Sequence, residues 1–148
     1  MDWNHYRFVS VWELPGPPAA VYAILERADE YPRWWRQVRE VTWVDAATRA
    51  ARIRSVLPYD LVMTMRERRH DPRAGVLEAV ISGDLEGWAR WTVTSHGTGS
   101  RVVYEQEVEV RRRLMRLLAV PGRAAFRANH ALMMRAGRRG LAARLEAV

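Results

Sequence analysis

The sequence predicts an α+β domain in which a strongly curved antiparallel sheet wraps one long C-terminal helix. Three observations predict it. From about Val38 to Val110 the chain reads as strand after strand joined by short turns, the pattern of an antiparallel meander. Between Val21 and Val41 an amphipathic helix stops, a second short helix carries the adjacent Trp34 and Trp35, and a strand follows. Near the C-terminus Phe126, His130, Met133, Gly137 and Leu141 recur at i, i+4, i+7, i+11 and i+15, which places them on one helical face. A curved sheet gripping such a helix leaves a cavity between the two layers.

Each element has its own signal. Residues 5 to 14 alternate, with Tyr6, Phe8, Ser10, Trp12 and Leu14 on one face and His5, Arg7, Val9, Val11 and Glu13 on the other, so they predict a half-buried strand. Gly16-Pro17-Pro18 ends it and opens a helix, proline being tolerated in the first turn. Val21, Leu25 and Ala28 share a face of that helix, and Asp29 is placed to cap the short helix carrying Tyr31 to Trp35. Strands are then expected at Val41–Val44, at Arg52–Leu57 before Pro58, and from Leu61 through Met63 and Met65. Asp71-Pro72-Arg73-Ala74-Gly75 is a turn. Val76–Ser82, Glu86–Ser95 and Val102–Val110 complete seven strands, the last pair joined by Gly97-Thr98-Gly99-Ser100. Pro121-Gly122 leads into a helix expected from about 122 to 147.

Composition narrows the class. A chain of 148 residues fits one domain spanning 1–148 and buries a real core without staples. It has no cysteine, so disulfides, thiolate metal sites and a cysteine nucleophile are excluded. That fits a reducing cytosol, and the N-terminal Met1-Asp2-Trp3-Asn4-His5 lacks the pattern of a signal peptide, so a cytoplasmic location is expected. No apolar run approaches the ~20 residues of a membrane span. The net charge is +7 and all 24 basic residues are arginine, a bias that coding composition explains better than function. Ten of those arginines, against the single acid Glu146, fall between Arg111 and Val148. A basic end of this kind gives an expected peripheral contact with an anionic membrane; the plainer reading is a solvated helix face. Nucleic-acid binding is disfavoured, since Phe126 is the only aromatic residue interleaved with those arginines.

The order of four pieces carries a resemblance: Trp12-Glu13-Leu14 with Val21-Tyr22; Tyr31-Pro32 with Trp34-Trp35; Gly83-Asp84-Leu85-Glu86-Gly87 with Trp91; and Asn129-His130 through Gly140-Leu141. Over about residues 5 to 146 the chain resembles the START-like, or helix-grip, superfamily, and within it the bacterial polyketide cyclase/dehydrase and lipid-transport (SRPBCC) group. The resemblance implies a hydrophobic cavity between sheet and helix. It implies no single activity, because the superfamily hosts carriers, hormone binders, cyclases and hydrolases.

Taking the more apolar face of each strand as inward gives Phe8 and Trp12; Ile53, Ser55 and Leu57; Leu61, Met63 and Met65; Leu77, Ala79 and Ile81; Trp91 and Val93; and Val102, Tyr104, Gln106 and Val108. The expected ligand contacts are Trp35, Met63, Met65, Trp91, Tyr104, Gln106, Phe126, His130 and Met133. His130 is a candidate proton donor or acceptor to a ligand oxygen; as a plain structural residue it would bond to the sheet instead. Tyr104 is the other catalytic candidate. In a cyclase, Tyr104 and Gln106 would orient a polyketide carbonyl; they could equally satisfy one another. Trp34 and Trp35 fit the cavity mouth or the core. Strict alternation puts Trp88 and Trp91 on opposite faces. Arg52, Arg54, Arg66 and Arg68 carry outward parity, whereas a register one residue away would send arginines into the cavity.

Other chemistry has little support. The histidines His5, His70, His96 and His130 are dispersed, so no metal site is expected. No phosphate loop, nucleophile elbow or inward carboxylate pair is evident, with Glu67 and Glu86 as isolated exceptions. No cofactor is expected. The reading is therefore a protein that binds a hydrophobic small molecule such as a lipid, polyketide or isoprenoid, with polyketide cyclase/dehydrase activity in the same cavity as the alternative.

Overall fold

The computed structural model describes residues 4–54, 60–111 and 122–147. Its elements are β1 (His5–Leu14), α1 (Pro18–Leu25), a 3-10 helix (Ala28–Arg33), β2 (Val38–Asp45), β3 (Thr48–Ile53), β4 (Leu61–Asp71), β5 (Val76–Gly83), β6 (Leu85–His96), β7 (Gly99–Val110) and α2 (Arg123–Glu146). The seven strands form one antiparallel sheet in the order β1-β7-β6-β5-β4-β3-β2. The first strand is thus added beside the last, and a meander runs from β2 to β7. The predicted α+β architecture, a curved sheet with one long terminal helix, is the architecture observed.

Alternation sets the two faces of the sheet. In β1, Tyr6, Phe8, Trp12 and Leu14 are buried while Val9 and Val11 are exposed. Trp88 lies on the outer face between the guanidinium groups of Arg7 and Arg90, 5.9 and 4.9 Å from its ring, and Trp91 lies on the inner face, as strict alternation requires. The four arginines of expected outward parity are all exposed. Arg52 bridges Glu40 and Asp60 at 3.2 and 3.0 Å, and Arg68 pairs with Glu78.

Several boundaries differ from expectation. β3 begins at Thr48, not Arg52, and β2 begins at Val38. Thr48-Arg49-Ala50-Ala51 offers little apolar alternation, yet both neighbouring strands pair with it, Trp43 with Arg49 and Ala51 with Met63. Neighbours override a weak local pattern here. Ser55 and Leu57 lie outside the described residues. The turn before β3 is correspondingly tight, with the Asp45 carboxylate accepting the Ala47 N–H at 2.9 Å. The second short helix is a 3-10 helix, and Asp29 sits inside its first turn, not at the cap, where Arg27 stands. β6 follows β5 after Asp84 alone.

The inner face holds two packed clusters. Trp12, Val21, Leu25, Trp34, Trp35, Trp91, Val93, Val102 and Leu141 form one, under α1 and the C-terminal part of α2. Tyr6, Phe8, Ala51, Leu61, Met63, Ile81, Leu85 and Val108 form the other. The tryptophan pair joins helix to sheet: Trp34 and Trp35 stack at 5.4 Å, and Trp35 meets Trp12 edge-on at 5.8 Å.

Two glycines let α2 approach this assembly. A Cβ at Gly137 would lie 2.6 Å from the Trp35 indole, and one at Gly140 would lie 1.7 Å from the Trp34 carbonyl oxygen. One turn before Gly137 the Trp35 indole N–H donates to the Met133 carbonyl at 2.9 Å. Trp35→Phe loses that bond and also the part of the buried indole that packs on Gly137. A loss of about 2 kcal/mol or more is expected in a urea titration.

Candidate functional site

A cavity of about 670 Å³ opens between the sheet and α2, within the size range of small-molecule sites. Its walls are built by the inward parity of the strands. Phe8 pairs with Gln106, Ala89 with Gln106, and Trp91 with Tyr104, so neighbouring strands present these side chains in rows. Ala51, Ile53, Leu61, Met63, Met65, Leu77, Ala79 and Ile81 continue the apolar lining across β3, β4 and β5. α2 covers it with Phe126, His130, Met133 and Met134. All nine residues expected at the ligand, Trp35, Met63, Met65, Trp91, Tyr104, Gln106, Phe126, His130 and Met133, lie on this wall. Trp12, Val93, Val102 and Val108 face inward too, but they are core beside the cavity, not lining. Trp34 is likewise core.

One polar cluster interrupts the apolar wall. Gln106 is 7% exposed. Its Oε1 accepts the Tyr104 hydroxyl at 3.0 Å and lies 3.1 Å from His130 Nε2. A carbonyl oxygen only accepts, so His130 carries its proton on Nε2 and the neutral ring keeps a lone pair on Nδ1. The imidazole stacks on Phe8 at 3.7 Å and 8°. Burial pushes the His130 pKa down to about 4 and the Tyr104 hydroxyl well above its usual range. Both groups are therefore neutral near pH 7. Tyr104 and Gln106 satisfy one another, one of the two sequence alternatives, and both line the cavity.

The other end of the cavity is charged, which sequence parity did not bring forward. Glu26, Arg27, Asp29, Trp43, Arg49, Glu67, Arg69, His70 and Glu78 line it. Most are already paired. Arg27 meets Glu30 at 2.8 Å, Arg69 meets Asp71 at 3.1 Å, His70 meets Glu26 at 2.9 Å, and Glu78 pairs with Arg68 and with Arg90, the latter at 3.1 Å. Glu67 is one of the two isolated carboxylates that the sequence offered, and Arg49 was readable in principle. They extend the inward rows Ile53-Ala51 and Leu61-Met63-Met65 by one step each. His70 was not, because a register shift between Glu67 and Arg69 changes the parity of β4.

Among the described residues no group of three or more His, Asp or Glu is placed to hold a metal ion, and no helix is long and apolar enough to cross a membrane. In the basic C-terminal region Arg123 and Arg127 lie over the Tyr6 ring at 4.5 and 5.6 Å, and Arg144 pairs with Glu30 at 3.1 Å. Arg112, Arg113 and Arg116 lie outside the described residues.

A cavity gripped between a curved sheet and a terminal helix defines a class of ligand-cavity domain. Residues 6–146 match the family described as polyketide cyclase / dehydrase and lipid transport, and the chain belongs to that family. Among solved structures it is similar to the Zhui aromatase/cyclase from Streptomyces sp. R1128, at 12% identity and a TM-score of 0.81, covering 96% of this chain and 94% of that one. It is also similar to a START superfamily protein from Mycobacterium smegmatis, at 13% identity and a TM-score of 0.75, covering 95% and 97%. A third is the di-domain ARO/CYC BexL of the BE-7585A biosynthetic pathway, at 13% identity and a TM-score of 0.72, covering 97% of this chain and 51% of that one. At these identities the structures establish the fold. No curated protein matches the sequence.

Proposed function

We propose that this protein binds a hydrophobic small molecule, of lipid, polyketide or isoprenoid type, in the cavity between sheet and α2. The carrying observation is the 670 Å³ apolar cavity with one buried polar cluster on its wall. Apolar burial supplies the affinity, roughly 25 cal/mol per Å² removed from water. Tyr104, Gln106 and His130 supply orientation, and Met63, Met65 and Met133 adapt their shape to the bound molecule.

Native mass spectrometry of the protein purified from a lipid-containing host, followed by denaturing extraction, tests this. A reproducible bound mass is expected. An empty spectrum, with no thermal shift across hydrophobic ligands, would overturn the reading. Filling the cavity gives a second check. Ala79→Phe combined with Ala89→Phe places two rings in the lined space and is expected to weaken binding at least about tenfold by fluorescent-probe titration.

The second reading is a polyketide cyclase/dehydrase. The observation favouring it is the neutral pair His130 and Tyr104 sharing one acceptor on the cavity wall, in a fold also adopted by Zhui aromatase/cyclase. The cavity would hold a poly-β-keto chain in a folded conformer, supplying proximity, with His130 or Tyr104 giving acid/base help. His130→Ala and Tyr104→Phe separate the two readings. A carrier keeps its ligand with a modest loss of affinity, while a cyclase keeps binding and loses turnover. Contact with an anionic membrane through the arginine-rich end would show as salt-sensitive vesicle binding weakened by charge removal at Arg111 to Arg113.

A further inference from the structure

Arg49 differs from every other cation on the cavity wall. It projects from β3 on the same side as Met65, its partner in β4. Its guanidinium carbon lies 4.0 Å from the centre of the Trp43 ring, its partner in β2. Stacking fixes the plane of the guanidinium and leaves its N–H edge free to donate. Its Nε is buried with no hydrogen-bond partner. Arg27, Arg69 and His70 on the same rim each have a carboxylate within 3.1 Å, whereas among the described residues Arg49 forms no ion pair. A half-buried arginine on an apolar cavity wall, its plane fixed by stacking and with no ion pair among the described residues, is built to receive an oxyanion.

We propose that the natural ligand is an amphiphile whose single terminal carboxylate is held by Arg49, with its apolar body in the cavity. This rests on the cavity being the ligand site. The charge of the anion follows from the surroundings. Asp29 and Glu67 line the same rim, so each further negative charge on the ligand is penalised, and one carboxylate suits the single stacked arginine better than a dianionic phosphomonoester. The polar cluster of Tyr104, Gln106 and His130 stands on β7 and α2. β7 is four strands from β3, roughly 19 Å along the curved sheet at ~4.8 Å per strand. A long or multi-ring body therefore separates the carboxylate from any hydroxyl or carbonyl that reaches Tyr104. Trp43 is 53% exposed, so the carboxylate end lies at the open mouth and the uncharged end inside.

Four probes test the inference: hexadecanoic acid, an anthracene carboxylic acid, and the methyl ester of each. Affinities are measured at pH 7.5 by competition with a fluorescent reporter, for the wild type and for Arg49→Gln and Arg49→Lys. In the wild type, at least one acid is expected to bind about 10- to 100-fold more tightly than its ester, as a charge-assisted hydrogen bond provides. Arg49→Gln should abolish that preference, the acid losing far more affinity than the ester, with an unchanged thermal unfolding transition showing that the variant is folded. Arg49→Lys should restore only part of it, since it keeps the charge and loses the planar fork. Equal binding of acid and ester by the wild type overturns the carboxylate assignment and leaves the cavity reading intact. Failure of all four probes to bind overturns both.

Discussion

Gly140→Ala is expected to destabilise the protein by about 3 kcal/mol or more in a urea titration, although alanine is the better helix former by about 1 kcal/mol. The added carbon would lie 1.7 Å from the Trp34 carbonyl oxygen. That atom is backbone, so no side-chain rotation relieves the overlap, and α2 must move away from the 3-10 segment. The movement would also break the bond from the Trp35 indole to the Met133 carbonyl and loosen the packing around Leu141, which is fully buried. Ala131→Gly, on the exposed face of the same helix, provides the control with the opposite ranking: a loss of about 1 kcal/mol from propensity alone. If Gly140→Ala were neutral or stabilising, the close docking of α2 on Trp34 would be wrong.

The second large effect is on pH dependence. His130 has its pKa pushed down from 6.5 to about 4 by burial. Between these values the unfolded chain binds a proton that the folded protein does not. Stability therefore rises with pH across this window. It is fully present above about pH 6.5 and is lost as pH falls towards 4. One pKa unit corresponds to 1.36 kcal/mol, so the full excursion amounts to about 3 kcal/mol. Tyr104 and Gln106, the polar groups facing the imidazole, do not change charge in this range. His130→Asn retains a donor to Gln106 and removes the titration. Its stability should be flatter between pH 4 and 6.5 than the wild type's, by chemical denaturation at fixed ionic strength. Parallel curves for the two proteins would show that the ring is accessible to water and titrates normally.

The fold was legible because its strongest signals are long and periodic. Ten alternating residues in β1, the apolar row through Val102, Tyr104, Gln106 and Val108, and the helical spacing from Phe126 to Leu141 each repeat often enough to outweigh local exceptions. Parity then carried the reading to the cavity wall, including Tyr104, Gln106 and His130. It went astray where the pattern was short or broken. Thr48 to Ala51 has too little apolar alternation to signal a strand and becomes one through its neighbours, so Arg49 was not assigned to the wall. The shift after Glu67 altered the face of His70, and nothing in a run of arginines announces a bulge. Asp29 looked like a cap because acidic residues favour helix starts, but the 3-10 helix begins at Ala28. The shared acceptor Oε1 of Gln106 was open to sequence reasoning as a pair and not as a trio, since the third member comes from a helix that only folding brings alongside.

The position of β1 beside β7 has a consequence for how the molecule comes into being. His5 pairs with Glu109 and Leu14 with Ser100, partners separated by most of the chain. Such pairing demands closure of a very long loop, and proteins dominated by non-local contacts fold slowly. Strands β2 to β6 can zip sequentially as they leave the ribosome. Phe8 and Gln106 cannot meet until β7 has been synthesised, and His130 cannot join them until α2 follows. The receptor for the ligand is therefore completed last, and a hydrophobic molecule present during synthesis would find it only once the polypeptide is nearly whole.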